Sequence, residues 1–428
     1  MESKTCAEID VEKCSQIAEG KTKQILEVPG TNLVVIRSKD QITAFNALRK
    51  HDLTGKAMLS NLTTCKVFQF LNSLGVRTHF VKQMSDKEFL AKRCVMIPLE
   101  WVARRVATGS FLKRNPSVKQ GYRFNPPKIE IFYKDDEKGD PEWSKETLEE
   151  SGLTASGIHI GKREIELMSH VTRTIFEVLE TAWLAQGCSL IDMKVEFGVD
   201  PESGDIILAD VIDNDSWRLW PGGDKRLQVD KQYYRDLPEV TPENLEQLKK
   251  NFSWVVEKLD KFVQAPCGRV VVVMGSASDY SFCKKIESHC KHYGIPCILR
   301  VSSAHKSTEE TLKLISEYEG DHVSTVFIAV AGKSNGLGPV LAGNTCFPVI
   351  NCPPKVEEVF SPNIWSSLSL PSGLGCCTVC SPEASVMCAA SILALQDFTL
   401  KCRMKMKTLL NYISTMKQDK HLEEYGKV

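Results

Sequence analysis

Val270-Val271-Val272-Val273-Met274 runs straight into Gly275-Ser276-Ala277-Ser278-Asp279, a β-branched strand followed by a turn of glycine, small hydroxyls and one carboxylate. The same order recurs twice downstream. Cys297 to Val301 leads into Ser302-Ser303-Ala304-His305-Lys306, and Thr325 to Val330 leads into a turn containing Gly332-Lys333-Ser334-Asn335-Gly336-Leu337-Gly338. Helical patterns over 280–292 and 308–319 separate the three runs. Strands alternating with helices at this spacing predict βαβ units on a parallel sheet. Such a sheet binds ligands beyond the carboxyl ends of its strands, so three loops distant in sequence are expected to meet in one crevice.

Upstream, Gln264-Ala265-Pro266-Cys267-Gly268 carries the breakers of a short linker. Before it, Thr241-Pro242-Glu243-Asn244 is a capped helix start, and Leu245, Leu248, Phe252, Val255, Val256, Leu259 and Phe262 recur as one apolar face. The region further upstream has strand patterns at Leu33 to Arg37, Ser189 to Phe197 and Ile206 to Ile212, with helical stretches around 56–74 and 164–184. A chain of 428 residues exceeds what one core usually organises. The expected division is an α+β domain over 1–263 with a mainly antiparallel sheet, a linker over 264–268, and an α/β domain over 269–428. The second is expected to be three-layered and flavodoxin- or Rossmann-like around its parallel sheet.

Lysine plus arginine (54) equals aspartate plus glutamate (54), so no global field recruits nucleic acid or a membrane surface. The expected partners are small molecules held by local constellations. The first residues lack the basic-then-apolar pattern of a signal peptide, and the apolar run Val323 to Ala331 is far shorter than a membrane span, so a cytoplasmic protein is expected. Sixteen scattered cysteines then read as reduced thiols. Cys376, Cys377 and Cys380 contain a single C-x-x-C without a second ligand pair, which reads as buried thiols rather than a zinc site.

Three N-terminal runs carry chemistry. Glu19-Gly20-Lys21-Thr22-Lys23 is placed where one strand turns into another and can lay amides and ammonium groups against phosphates, although it lacks P-loop spacing. In Met96-Ile97-Pro98-Leu99-Glu100-Trp101-Val102-Ala103-Arg104-Arg105-Val106-Ala107-Thr108-Gly109-Ser110, two arginines precede a T-G-S turn, a pairing suited to a phosphate monoester. In Leu190-Ile191-Asp192-Met193-Lys194-Val195-Glu196-Phe197-Gly198, period two puts Asp192, Lys194 and Glu196 on one strand face. Asp210, Asp213, Asp215, Ser216 and Arg218 follow as a second acidic cluster ending in an arginine.

These runs resemble the signature stretches of SAICAR synthetase, over roughly residues 15–240. The resemblance implies ATP with Mg2+ activating the carboxylate of carboxyaminoimidazole ribonucleotide (CAIR) as an acyl phosphate, which the amine of L-aspartate then attacks. It implies that Lys21 and Lys23 face the ATP phosphates and that Glu196 and Asp210 hold the metal through oxygen ligands. Arg104, Ser110 and Arg218 would take the ribonucleotide phosphate. Asp192 and Asp215 would contact the aminoimidazole, with Ser216 in the same substrate cluster, and Lys194 would act in catalysis by neutralising charge as the acyl phosphate forms.

In the C-terminal half, Ser276 and Ser278 at a fresh helix start suit a phosphate and Asp279 suits ribose hydroxyls, while the missing G-x-G-x-x-G argues against NAD. His305 can exchange a proton near neutral pH. The three loops are similar to those of aminoimidazole ribonucleotide (AIR) carboxylase, over roughly residues 268–395. Lys306 and Ser334-Asn335-Gly336 agree with the animal version of that family, which takes CO2 directly, and no biotin-carrier motif is present. The resemblance implies C4 of the aminoimidazole attacking CO2, with His305 as proton shuttle. Ser276, Asp279 and Ser303 would hold the ribonucleotide, Lys306 and Lys333 would stabilise phosphate or carboxylate charge, and Ser334 and Asn335 would complete the substrate loop. Pro371-Ser372-Gly373-Leu374-Gly375 is a further candidate loop or a plain turn. Both resemblances in order on one chain match the bifunctional animal enzymes of purine synthesis, and through the carboxylase a homo-octamer is implied.

Overall fold

The computed structural model describes residues 9–44, 48–135, 137–354 and 362–426. The chain separates into two compact units, Met1–Val263 with Lys405–Val428, and Gln264–Met404.

In the first unit, a five-stranded antiparallel sheet runs in the order Ser15–Glu19, Lys23–Glu27, Leu33–Ser38, Glu88–Lys92, Phe80–Gln83. The Glu-Gly-Lys-Thr-Lys run is the turn of its first hairpin, closed by Gly20 N–H donating to the Lys23 carbonyl at 2.8 Å. A second antiparallel sheet is built around the twelve-residue strand Cys188–Val199. One edge of this strand pairs with Val95–Val106, which pairs on with Arg123–Tyr133 and then Glu142–Trp143. Its other edge is divided between Trp217–Pro221 and Ile206–Ala209. The helix Lys162–Ala185 packs on this spine, burying Ile165, Met168, Ile175, Phe176, Leu179 and Trp183.

The helix Lys56–Ser73 begins where Asp40 Oδ1 accepts from Gly55 N–H at 3.0 Å and Ala57 N–H at 2.8 Å, so a neighbouring loop caps it. It packs against Pro242–Leu259, whose capping box joins Thr241 and Asn244. Leu59, Leu248, Phe252 and Val256 form the core between them. The expected strand to Ile212 stops at Ala209, because Asp210 takes φ +62°, a left-handed conformation that a strand cannot continue through.

In the second unit, five parallel strands lie in the order Cys297–Val301, Gly268–Met274, Ser324–Val330, Val349–Asn351, Cys377–Thr378. Alternation along the central strand makes three layers. Val270, Val272 and Met274 face the helices Tyr280–Tyr293 and Pro382–Leu393, whereas Val271 and Val273 face Thr308–Gly320 and Leu337–Asn344. Burial on both faces explains the unbroken valine run.

Two further expectations differ from the structure. The second domain was expected to extend to residue 428, but Lys405–Val428 groups with the first unit, where Met406 and Leu409 are buried. Apolar positions on one helix do not reveal which core they will join. Cys377 and Cys380, read as buried, are exposed, and Cys376 is half-buried with Asn351 Nδ2 3.0 Å from its sulfur. Cys377 lies in the edge strand Cys377–Thr378, with Cys376 just before it and Cys380 just after, and no strand among the described residues pairs beyond that edge. Every cysteine among the described residues is a free thiol, and no helix among them is long and apolar enough to cross a membrane.

Candidate active sites of the two units

Register along Cys188–Val199 builds the first site. Asp192 pairs with Arg104 on one side and Arg218 on the other. Its Oδ2 accepts from Arg104 Nη1 at 2.7 Å and from Arg218 Nη1 at 2.5 Å, so one buried carboxylate holds two guanidiniums. Arg218 lies against the T-G-S turn: a Cβ on Gly109 would come within 2.7 Å of Arg218 Nη2, and Gly109 has φ +58°, so glycine is required twice over. Ser110 is exposed beside it, opening the short helix Ser110–Arg114.

Two residues along the strand, Lys194 Nζ lies 2.7 Å from Glu100 Oε1 and 3.0 Å from Glu196 Oε1. Glu100 and Glu196 are directly opposed across the ladder, an arrangement of like charges that needs a cation between them. Lys134 donates to the second oxygen of Glu196 at 2.8 Å. Burial pushes the Glu196 carboxyl up, but Lys194 and Lys134 outweigh it and hold it at about 2. Burial also pushes Lys194 down, and there Glu196 and Glu100 win, raising it above an ordinary lysine. Both groups are charged at neutral pH.

Glu196 pairs with Ala209, so Asp210 emerges beside it at the strand end. The Lys23 ammonium is in contact with Asp210. Burial lowers Lys23 to about 8, with Glu196 opposing. The N-terminal hairpin is thereby brought to the acidic pair, with Lys21 on its exposed turn.

Glu196 and Asp210 offer hard anionic oxygens with ammonium groups now at their sides, a donor set that suits Mg2+. Mg2+ takes one or two carboxylates and fills its shell with phosphate and water, so two acids are enough ligands from the protein.

The third cluster is a turn. Asp213 Oδ1 accepts from Asp215 N–H at 2.9 Å, and Ser216 Oγ accepts from Asp213 N–H at 3.2 Å, so Ser216 shapes the loop. Asp215 is held by Lys231 at 2.8 Å and by buried Lys56 at 3.7 Å. Burial raises Asp213, with Asp215 adding to it; in Asp215 burial is outweighed by Lys231 and Lys56, which lower it.

Sequence reading missed Glu100, Glu130, Lys134, Lys56 and Lys231. Glu100 was within reach, since it shares a strand face with Arg104 at period two. The others come from elements whose approach no local pattern encodes.

In the second unit, a cavity of about 640 Å3 lies at the carboxyl ends of the strands. Gly268–Met274 sends its chain to the strand on one side, and the next crossover lands on its other side at Ser324–Val330. The cavity sits at this switch point, where the loops diverge and leave a crevice. Ser276, Asp279, Ser303, His305, Lys306, Lys333 and Ser334 all line it. Asn335 does not: it is buried, donating from Nδ2 to Ser367 Oγ at 3.0 Å and accepting from Gly338 N–H at 3.0 Å, so it shapes the loop. Pro371 to Gly375 contributes no lining residue. Pro353, Pro354, Asn363 and Ile364 do, and carried no motif that sequence reading could use.

A family model described as SAICAR synthetase matches residues 16–251, and one described as AIR carboxylase matches residues 269–411. The chain is 53% identical over 414 residues to the Homo sapiens bifunctional phosphoribosylaminoimidazole carboxylase/phosphoribosylaminoimidazole succinocarboxamide synthetase, covering 96% of this chain and 97% of that protein. It is 51% identical over 424 residues to the Drosophila melanogaster protein of the same description, covering 99% of each. The first unit is similar to the crystal structure of phosphoribosylaminoimidazole-succinocarboxamide synthase from Ehrlichia chaffeensis, at 31% identity and a TM-score of 0.52, covering 57% of this chain and 98% of that one.

Proposed function

The chain belongs to the family of bifunctional AIR carboxylase/SAICAR synthetases, and from that premise we propose how its residues divide two consecutive reactions. The second unit carboxylates AIR to CAIR, and the first joins CAIR to L-aspartate to give SAICAR.

In the ligase site, the observation that carries the reading is the register that stacks Arg104–Asp192–Arg218 beside Lys194–Glu196 on one strand face. Arg218, Arg104 and the Gly109–Ser110 turn bind the ribonucleotide phosphate. Asp192 and Asp215 receive the aminoimidazole, and Ser216 holds the loop that carries Asp215. Lys21 and Lys23 bind the phosphates of ATP, and Glu196 and Asp210 hold Mg2+, which supplies charge neutralisation at those phosphates. The CAIR carboxylate displaces ADP from the γ-phosphorus, the aspartate amine attacks the acyl carbon, and inorganic phosphate leaves as the amine loses a proton. Lys194, kept cationic between two carboxylates, offsets the charge that accumulates at the acyl oxygen.

In the carboxylase cavity, C4 of AIR attacks CO2 and the C4 proton leaves through His305. Ser276, Asp279 and Ser303 seat the ribonucleotide, with Lys306, Lys333 and Ser334 beside the new carboxylate or the phosphate. Neither biotin nor NAD takes part in this scheme. Assembly as a homo-octamer belongs to the same proposal and rests on the resemblance alone, and a cytoplasmic location is proposed beside it; sedimentation measures the assembly.

One coupled experiment tests the whole reading. AIR and bicarbonate without ATP should yield CAIR, and addition of aspartate, ATP and Mg2+ should convert it to SAICAR with stoichiometric ADP. Carboxylation that demands ATP, or turnover of the carbamate isomer with none from CO2, overturns the direct route.

A further inference from the structure

Charged side chains cross the second sheet of the first unit as an unbroken ladder. Arg114 Nη2 donates to Glu130 Oε1 at 2.6 Å, and Glu130 Oε2 is in contact with Arg104 Nε. Arg104 then donates to Asp192, and Asp192 accepts from Arg218. The five groups alternate in sign and come from a helix and four strands. Both ends return to one place. Arg218 presses on Gly109, and Arg114 Nη1 reaches the Ser110 carbonyl at 3.4 Å.

Glu130 sits at the centre of the half that sequence reading did not see. It is 2% exposed, and both oxygens are engaged by guanidiniums that would otherwise repel one another. Asp192 pairs with Arg104 and Arg218, whereas Glu130 is the carboxylate that Arg104 shares with Arg114. Arg114 differs from Arg104: it is about one-third exposed, lies over the Phe132 ring, and its Nε donates to Glu142 Oε2 at 2.8 Å in a partly exposed pair. A pair of that kind contributes little and exchanges readily for a stronger anion.

We infer that Arg114 is a third arginine of the ribonucleotide-phosphate site and that Glu130 is the positioning residue that aims Arg114 and Arg104 at it. This rests on the reading of the Gly109–Ser110 turn as the phosphate site. Phosphate arriving at the turn displaces Glu142 from Arg114, while Glu130 keeps the guanidinium from following the solvent. Glutamine at 130 keeps the shape but turns one acceptor into a donor facing an arginine, and so releases one of the two.

The test compares CAIR with its dephosphorylated riboside as ligase substrates in the full-length chain. The wild type prefers the ribonucleotide in kcat/KM by a measurable factor, and Arg114→Gln and Glu130→Gln should each cut that factor roughly tenfold to a hundredfold. The KM for ATP should not move. Glu130→Asp, which restores the charge, should recover part of the preference. If Glu130→Gln instead lowers thermal stability and reduces both substrates equally, Glu130 is structural only and the inference fails. If Glu130→Gln does not fold, the exposed Arg114→Gln decides alone, and an unchanged preference there overturns the proposal. Arg218→Ala is the control on the underlying reading: an unchanged preference in that variant moves the phosphate elsewhere, whereas a lost preference in it beside an unchanged one in Arg114→Gln defeats this inference alone.

Discussion

The imidazole of His305 lies against the backbone of Gly336: a Cβ on that glycine would stand 2.5 Å from Nε2 and 2.9 Å from Cε1. The second and third loops of the parallel sheet therefore touch at the proposed proton shuttle. Gly336 has an ordinary backbone conformation, with φ −75°, so glycine is needed for space and not for chain geometry.

Gly336→Ala should thus act as a steric probe without backbone strain. Displacing the imidazole by about 1 Å is expected to cost on the order of a hundredfold in carboxylation. Ligation of supplied CAIR should stay intact. Steady-state rates of the two half-reactions on one preparation check this.

His305→Asn should remove most carboxylation while AIR still binds, since asparagine hydrogen-bonds but cannot shuttle a proton at neutral pH. The loss should be roughly a hundredfold to ten-thousandfold. Calorimetric titration with AIR separates binding from turnover, and full activity would return His305 to a structural role.

Glu196→Gln and Asp210→Asn should each abolish ATP-dependent ligation and leave carboxylation within about twofold, because the two acids belong to the first unit alone. Glutamine at 196 also leaves Lys194 and Lys134 without their shared carboxylate. Mg2+ titration of ligase activity should show a raised requirement in any residual activity. Equal loss of both reactions in a folded variant would contradict the assignment.

A chain ending at Met404 should destabilise the ligase unit. The missing segment carries buried Met406 and Leu409, a ring contact of 4.4 Å between Tyr412 and His170, and Asp419 and Glu423 at 2.9 and 3.0 Å from Arg163. Losing two buried side chains costs roughly 1.5–3 kcal/mol each, and the exposed ion pairs add little. Scanning calorimetry should show the ligase transition moving down while ATP-free carboxylation persists.

Asp230 supplies a pH dependence. It is fully buried, accepts backbone N–H groups from Leu219 at 2.8 Å and Gln232 at 2.7 Å, and burial raises it to about 6. An unfolded aspartate titrates near about 4, so between these values the native state holds the extra proton. Its contribution to stability is therefore complete below about pH 4 and is lost as pH rises through about 6. Asp230→Asn should flatten that part of the stability profile, read from denaturant midpoints between pH 4 and pH 7.

The parallel sheet and its crevice were legible because they depend on short-range patterns. A valine run buried on both faces, a polar loop after each strand and helical spacing between them leave one class of architecture. Seven of the eight residues proposed for that crevice line it, and Asn335 differs because a polar side chain beside a glycine turn looks the same whether it faces a ligand or braces the loop. Period two likewise placed Asp192, Lys194 and Glu196 on one face before any partner was known.

What the tertiary structure alone decided is non-local. Strand pairing chose Arg104 and Arg218 as the neighbours of Asp192, and set Glu100 opposite Glu196 with Lys194 between them. Burial then lowered Lys23 to about 8, while in Glu196 the charges of Lys194 and Lys134 outweighed burial and held it at about 2. The final helix carried Lys405–Val428 to the first unit although the sequence places it after the second. Local periodicity reports which face of an element is apolar or charged. Register, burial and the choice of core depend on elements far apart in the chain, whose approach is settled only when the whole surface is buried together.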